Sequence, residues 1–329
     1  MKKDVRTFIC GMSRGGTTWL GCCLNEHPEV AVFGETLFWG RCFVEPNEDG
    51  IYGTKEIDSV VHFQRDLNKS FYGKKSGCLM NVGMPEWHQI LDGLKSLEGK
   101  PPDEIFDYLA GHIGSSEGKP MVIEKTPHHL NHISRIESWY PNSRYIVMVR
   151  DPYSFMLSYK NQGLQRSAEH RKHMARYFHP IGCALVWKGY ARQARSEVSR
   201  LGARSTLVRF EDLKADPERV WIKVLGFLDV ERTALPIVED KNSSFSQHTR
   251  PQLDSIDLFW MNFIAKDSIT DLGYEKRAAK VSIFAIITSL FSLIPCAVRI
   301  LQDISSRSSG SIVAYVLNWV RLGKRGGTN

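Results

Sequence analysis

The sequence lacks several features that would place it in a specialised class of protein. Its seven cysteines are odd in number and none of them forms a C-x-x-C pair, which argues against a disulfide framework and against a zinc ribbon. The amino-terminal apolar run is too short to serve as a secretory signal. We therefore expect reduced thiols in a cytoplasmic chain.

The main body of the chain also lacks a net charge. Lys and Arg number 43 against 36 Asp and Glu, but eight of the basic residues and one acidic residue lie from position 276 onward, which leaves 35 of each sign before it. A neutral body gives little support to a nucleic-acid-binding face. With 42% hydrophobic and 24% charged residues, the composition is that of a globular protein.

Apolar runs typical of strands alternate with helical patterns along the chain. The runs lie at residues 5–10, 30–33, 121–125, 144–149 and 205–210. Repeated strand-then-helix units predict an α/β fold of the P-loop type, a mainly parallel sheet flanked by helices, with an apolar helical tail at the carboxyl end. We expect one domain over 1–275, in which 41–119 form a variable acceptor-binding region, and a membrane-associating tail over 276–329.

A glycine loop joins the first predicted strand to the first predicted helix. Residues 11–18 read G-M-S-R-G-G-T-T, which is the Walker-type frame with Thr17 where the lysine would stand. The amides of such a loop and of the helix start bind anions. Without the lysine, and with Arg14 inside the loop, a ligand other than a triphosphate is favoured. The alternative is a Gly-Gly turn that binds nothing.

Five segments in order resemble the PAPS-dependent sulfotransferases, in their carbohydrate and tyrosylprotein branch, where PAPS is 3'-phosphoadenosine 5'-phosphosulfate. The first is SRGGTTWL at 13–20, and the others are HPEVAVFGE at 27–35, EKTP at 124–127, RYIVMVRDPYSFMLS at 144–158 and the strand-helix unit at 208–228. The resemblance implies transfer of a sulfuryl group from PAPS to a hydroxyl, which releases 3'-phosphoadenosine 5'-phosphate (PAP) and requires no metal.

The resemblance also implies roles for particular residues. It makes Glu35 the general base, eight residues after His27. It directs Lys125 to the donor sulfate or to the acceptor, and Glu124 to orient Lys125 or the acceptor. The 3'-phosphate ligands are Arg150 and Ser158. The ligands of the 5'-phosphosulfate are the side chain of Arg14 and the loop amides of Gly15, Gly16, Thr17 and Thr18.

Some assignments keep alternatives. The sequence departs from the cytosolic small-molecule branch, because Pro127 stands where that branch has its catalytic histidine. His128, the next residue, is therefore the second candidate base. The histidines near it do not predict a metal site, and Arg250 is a weak candidate contact with the nucleotide. Two other functions remain open: a P-loop kinase or NTPase, and a non-catalytic, membrane-tethered protein that binds PAPS or PAP.

The carboxyl-terminal part carries two apolar stretches with basic borders. They are VSIFAIITSLFSLIPCAV at 281–298, interrupted by Pro295, and IVAYVLNWV at 312–320. Such segments suit a helical hairpin or interfacial helices on the anionic cytoplasmic face of a membrane. Packing of 281–301 on the main domain is the alternative. We expect a saccharide or a glycolipid as the acceptor.

Overall fold

The computed structural model describes residues 6–71, 84–161, 175–236 and 251–307. Its sheet has five strands: β1 Thr7–Gly11, β2 Val30–Gly34, β3 Met121–Lys125, β4 Arg144–Val149 and β5 Ser205–Arg209. The order is β2-β3-β1-β4-β5, and the pairs β2 with β3, β3 with β1 and β1 with β4 are parallel. The predicted α/β fold with a mainly parallel sheet is confirmed.

Helices follow the strands as the alternation predicts. The α-helices are α1 Thr17–Asn25, α2 Thr54–Phe71, α3 Met84–Leu94, α4 Pro102–Glu117, α5 Ile133–Trp139, α6 Pro152–Lys160, α7 Pro180–Leu201, α8 Phe210–Ala215, α9 Pro217–Leu228, α10 Ser255–Ile264, α11 Lys266–Asp271 and α12 Ile283–Arg307. A π-helix spans Phe38–Cys42, and short 3₁₀ segments span Lys95–Leu97, Pro127–His132 and Gly202–Arg204.

Both faces of the sheet are buried, as expected for parallel strands covered by helices. On one face, Ile9 and Ile146 pack with Trp221 in a hydrophobic cluster. On the other face, the ring of Phe8 contacts those of Phe106 and Tyr145. Because neighbouring strand residues point to opposite faces, Phe8 and Ile9 anchor β1 to both layers. This double burial fixes the carboxyl end of β1, where the glycine loop begins.

The chain divides into two compact units. The first comprises residues 1–148 and 200–241, and the second comprises 149–199 and 242–329. Within the second unit, the Tyr153 hydroxyl donates to the Asn262 side chain, which ties α6 to α10. Lys160 of α6 forms an ion pair at 2.6 Å with the nearly buried Asp257. The predicted domain boundary at residue 275 stays a prediction.

Two expectations change in the described structure. The apolar stretch at 281–298 is not interrupted at Pro295, because a single helix, α12, continues through it; a proline there removes one backbone hydrogen bond but need not end the helix. Cys22 is disulfide-bonded rather than reduced. In the described part of the chain, no helix is both long enough and apolar enough to cross a bilayer. The stretch at 312–320 and Arg250 lie outside the described residues.

Candidate active site

The glycine loop between β1 and α1 has a backbone that only small residues permit. Gly16 has φ +85°, and a Cβ built on it would lie 2.2 Å from the ring of Phe210. A Cβ on Gly15 would lie 2.6 Å from the carbonyl oxygen of Met12. Glycine is therefore required here by a left-handed conformation and by close contacts. We call residues 11–16 the phosphate loop.

The phosphate loop presents donors where α1 begins. The Gly15 amide donates to the Met12 carbonyl at 2.9 Å and closes the turn. The amides that follow, at Gly16, Thr17 and Thr18, lie at the start of α1, where N–H groups have no acceptor within the helix and the helix dipole is positive. Arg14 is exposed and left-handed, with φ 64°. The loop therefore offers amides and a guanidinium to an anion.

A second irregular segment follows β2, and we call residues 34–42 the corner. Glu35 and Leu37 both have positive φ, 32° and 53°, and the π-helix Phe38–Cys42 follows directly. Left-handed residues other than glycine are strained by about 1–2 kcal/mol each, and π-helical turns are frequent at functional sites. Such strain persists only where the surrounding structure holds it in place.

The corner is held by a buried carboxylate on β3. Glu124 is 1% exposed, and its Oε1 accepts from the Thr36 hydroxyl at 2.9 Å and from the Thr126 hydroxyl at 2.5 Å. Its Oε2 lies 2.9 Å from Nδ1 of His129. Burial alone would raise the pKa of Glu124, but His129 and the two hydroxyls lower it below its ordinary value. Glu124 is thus an ionised anchor for the residue after Glu35.

Two further contacts complete the support of the corner. The amide of the fully buried Gln64 donates to the Thr36 carbonyl at 2.8 Å. The Trp39 amide donates to Nε2 of His129 at 3.3 Å. Because these contacts fix Thr36 and Trp39, which lie on either side of Leu37 and Phe38, the left-handed backbone of the corner is held at both ends.

Glu35 and Lys125 form the central ion pair of the site. Nζ of Lys125 lies 2.5 Å from Oε1 of Glu35, and the two side chains are 4% and 28% exposed. The Glu35 amide also donates to the Lys125 carbonyl at 3.0 Å. The pair therefore joins the ends of the neighbouring strands β2 and β3, with the carboxylate as its more accessible member.

His128 lies beside both segments. Its Nε2 is 3.4 Å from the Ser13 hydroxyl of the phosphate loop. The ring reaches solvent, yet desolvation by surrounding protein lowers its pKa, against the opposing effect of Glu35. A neutral imidazole can accept a proton, and the assignment of His128 as the alternative base stays a prediction. Among the described residues, no group of three or more His, Cys, Asp or Glu side chains is arranged to hold a metal ion.

Arg150 and Ser158 belong to the second unit. Arg150 directly follows β4, and its carbonyl accepts from the Trp187 indole at 2.9 Å. The next residue, Asp151, caps α6 by accepting from the Ser154 amide at 2.7 Å. Ser158 lies two turns further along α6 and is 1% exposed. The assignment of Arg150 and Ser158 to a 3'-phosphate stays a prediction.

The sequence was compared with known protein families. A family model described as the sulfotransferase family matches residues 7–234, which is more than half of the chain. The chain belongs to the sulfotransferase family. This confirms the resemblance carried by the five segments and disfavours assignment to the P-loop kinases and NTPases.

Individual relatives of this sulfotransferase-family chain are distant. Protein-tyrosine sulfotransferase A of Caenorhabditis elegans is 23% identical over 224 residues, 68% of this chain and 49% of the relative. Nodulation protein NoeE of Sinorhizobium fredii is 24% identical over 154 residues, 47% of this chain and 30% of the relative. The chain thus spans at most about half the length of these two proteins.

A solved structure supports the fold of this family member. The sulfotransferase domain from the Synechococcus PCC 7002 olefin synthase superposes with a TM-score of 0.50 at 16% identity, covering 90% of this chain and 94% of that domain. At this identity the likeness concerns the fold alone.

Sequence reasoning missed the support of the corner in this sulfotransferase-family protein. Thr36 and Gln64 belong to no motif, and Glu124 looked like a residue that could orient Lys125 or the acceptor. In the structure Glu124 is buried and contacts neither solvent nor Lys125, because adjacent residues of β3 point to opposite faces. That alternation was the available signal, since Lys125 faces the ion pair with Glu35.

Proposed function

We propose that this protein transfers a sulfuryl group from PAPS to a hydroxyl of a saccharide or glycolipid. The observation that carries the proposal is the placement of three elements on unit 1: the phosphate loop, the corner with Glu35, and Lys125 on β3. Anion donors and a carboxylate supported by a buried network are what an in-line displacement at sulfur requires. Family membership supports sulfuryl transfer in general.

The phosphate loop is proposed to bind the 5'-phosphosulfate of the donor. The amides of Gly16, Thr17 and Thr18, together with the Arg14 guanidinium, surround an anion at the positive end of α1. Gly15 gives the ligand room for a close approach to the backbone. In the reaction, the bond from sulfur to the phosphate oxygen breaks and negative charge grows on that phosphate, where these donors stabilise it.

Glu35 is proposed to take the proton of the acceptor hydroxyl as its oxygen attacks sulfur. Its carboxylate is the more exposed member of the pair with Lys125 and is therefore the one an acceptor can reach. Lys125, held by the same ion pair, is proposed to turn to the sulfuryl oxygens when the donor binds. The products are the sulfated acceptor, the protonated Glu35 and PAP.

Arg150 and Ser158 are proposed to bind the 3'-phosphate of the donor. An arginine can bind phosphate through two parallel hydrogen bonds, and a serine hydroxyl adds a third. We expect PAP to bind at least about tenfold tighter than ATP, since each charge-assisted hydrogen bond contributes about 1.5–3 kcal/mol. Titration calorimetry with PAP and ATP measures this, and equal affinities would contradict the assignment.

Replacement of the proposed base is the direct test of the reaction. We expect Glu35→Gln to lower transfer of labelled sulfate by about 10²- to 10⁴-fold, the usual contribution of a general base, while PAP affinity stays the same. Glu45→Gln, at an exposed carboxylate in an ion pair with Arg135, is the matched control. Full activity of Glu35→Gln would show that another group is the base, and His128→Gln would then be measured.

The acceptor class needs a separate measurement. Lipid-linked sugars, soluble sugars and tyrosine peptides are offered with labelled PAPS, the peptides because of the likeness to a protein-tyrosine sulfotransferase. Transfer to sugars supports the proposal, and transfer to peptides alone would show that the acceptor is a peptide rather than a sugar. If PAP binds but no acceptor is sulfated, a non-catalytic PAP-binding role is favoured.

A further inference from the structure

The helix α12 belongs to the second unit and packs on the rest of that unit with its polar side. The Ser289 carbonyl and the Ser292 hydroxyl lie 3.0 and 3.1 Å from Nε2 of His179. The Ser289 hydroxyl also accepts from the Trp260 indole at 2.8 Å. Cys296, on the same side, is 5% exposed. Serines and a cysteine thus form the inner face of a helix whose sequence is mostly apolar.

The outer face of α12 is a continuous apolar stripe. Six large side chains recur at helical spacing and are between 46% and 76% exposed: Ile283, Ile287, Leu290, Phe291, Ile294 and Val298. We call these six residues the outer stripe. A surface helix of a globular protein normally turns its apolar stripe to the core. Here the stripe points away from it, and an exposed apolar patch of this kind marks an interaction site.

The segment before α12 is attached to the same unit. The Arg277 amide donates to the Tyr153 hydroxyl at 2.9 Å, and its guanidinium lies 4.7 Å from the centre of that ring. The Arg277 carbonyl accepts from the Asn262 amide at 2.7 Å. The segment before the helix is thereby attached to the unit, and the contacts of Ser289 and Ser292 set the rotation of the helix. The outward direction of the outer stripe is therefore a property of the folded unit.

Charge around the stripe identifies its partner. Lys276, Lys280 and Arg299, which flank the outer stripe, are all exposed. From residue 276 to the end, the sequence has eight basic residues and Asp303 as its one acid. Two copies of such a surface would repel each other, whereas an anionic lipid surface attracts each Lys or Arg by about 1 kcal/mol. The charges therefore favour lipid over a second copy of the chain.

We propose that the outer stripe of α12 lies on the surface of an anionic membrane. The apolar side chains would enter the boundary between headgroups and acyl chains, and the flanking lysines and arginine would contact the lipid phosphates. The helix would lie along the surface rather than cross it, in agreement with the absence of a spanning helix among the described residues. This proposal is independent of the sulfuryl transfer.

Vesicle flotation of the full chain tests the proposal. The probes are vesicles of phosphatidylcholine alone and vesicles that contain phosphatidylglycerol in addition. We expect binding to the anionic vesicles, weaker binding to the neutral ones, and a loss of that difference at high salt because the charges are screened. Absence of binding to both kinds of vesicle would overturn the proposal.

Two exposed isoleucines give a matched pair of variants. Ile287 in the outer stripe and Ile222 on α9 are both 46% exposed, so neither change to glutamate disturbs a core. We expect Ile287→Glu to weaken binding to anionic vesicles by at least about tenfold, and Ile222→Glu to leave it unchanged. Lys280→Gln is expected to weaken it by about fivefold. Equal effects of the two glutamates would contradict the assigned face.

A second copy of the chain is the alternative partner of the outer stripe. Light scattering of the full chain without lipid measures such self-association directly. A dimer that Ile287→Glu dissociates, together with no vesicle binding by the original chain, would assign the stripe to a second copy and refute the lipid proposal. A monomer that binds anionic vesicles supports it.

Discussion

The phosphate loop and the corner accommodate a left-handed backbone in different ways. Both follow a strand of the sheet directly, and both contain left-handed residues. In the phosphate loop, Gly16 adopts this conformation without steric strain, and Arg14 is the residue other than glycine that is left-handed. In the corner, Glu35 and Leu37 adopt it against their preference, and Glu124 and Gln64 hold Thr36 between them.

The difference shows which contacts determine the backbone conformation of each segment. The turn of the phosphate loop is closed by a hydrogen bond between two of its own residues, Gly15 and Met12. The shape of the corner is determined by side chains from other elements, α2 and β3, and so depends on their packing. The carboxylate of Glu35 is thus positioned by a network of side chains rather than by the local sequence.

Removal of the anchor of the corner is expected to have the largest effect on stability. Glu124→Ala leaves His129 facing an empty space and takes away the acceptor of two hydroxyls. Breaking a buried pair in this way costs about 3–5 kcal/mol, and urea unfolding measures it.

The control for this change is a carboxylate in an exposed ion pair. Glu45→Ala removes the exposed partner of Arg135 and is expected to change stability by at most about 0.5 kcal/mol. If both variants lose the same stability, the corner does not depend on Glu124 and the contrast between the two segments fails.

Substitution of a loop glycine should have the next largest effect. Gly16→Ala combines a left-handed backbone with a contact of 2.2 Å to Phe210, so we expect a loss of about 2–4 kcal/mol. Gly99→Ala has nearly the same φ, +82°, but no atom within 4 Å of its Cβ, and should lose about 1 kcal/mol. Thermal unfolding of both compares them. Equal losses would mean that Phe210 yields and that only the backbone matters.

Acid should lower the stability of the folded protein by protonating Glu124, and this is the smallest of the three expected effects. The folded-state pKa of Glu124 is lowered, so its stabilisation is complete above the ordinary value of 4.5 and is lost as pH falls through the lower folded value. The stability gap between the original chain and Glu124→Gln should therefore narrow as pH falls below that value. Urea unfolding from neutral pH to about pH 3.5 measures the gap. A gap that stays constant would contradict an ionised Glu124.

Much of the fold was predictable because its signals are local. Buried parallel strands such as β1 and β4 are short apolar runs, and the glycines of the phosphate loop mark the turn between β1 and α1. The proline at the start of α6 marks its beginning in the same way. The strand order was not predictable, because it depends on which runs pair across long stretches of chain.

The candidate site was predictable only in part. Arg14 and Glu35 could be named as candidates because they stand at fixed positions in motifs, and the structure brings Glu35 and Lys125 together as an ion pair. The roles of Thr36 and Gln64 could not be predicted, since their contacts join residues 28 or more positions apart. The sequence left the direction of the outer stripe open, because it allowed both interfacial helices and packing of 281–301 on the main domain.

A minor bridge in the first unit has a consequence for how a long stretch of its chain can be exchanged. Tyr52 and Lys100 pair in an isolated antiparallel bridge, and the Gly99 amide donates to the Tyr52 carbonyl at 2.8 Å. The two ends of the stretch from Tyr52 to Lys100 therefore lie side by side. Because the stretch includes Gln64, which donates to the Thr36 carbonyl, exchanging it for another sequence would also remove a support of the corner.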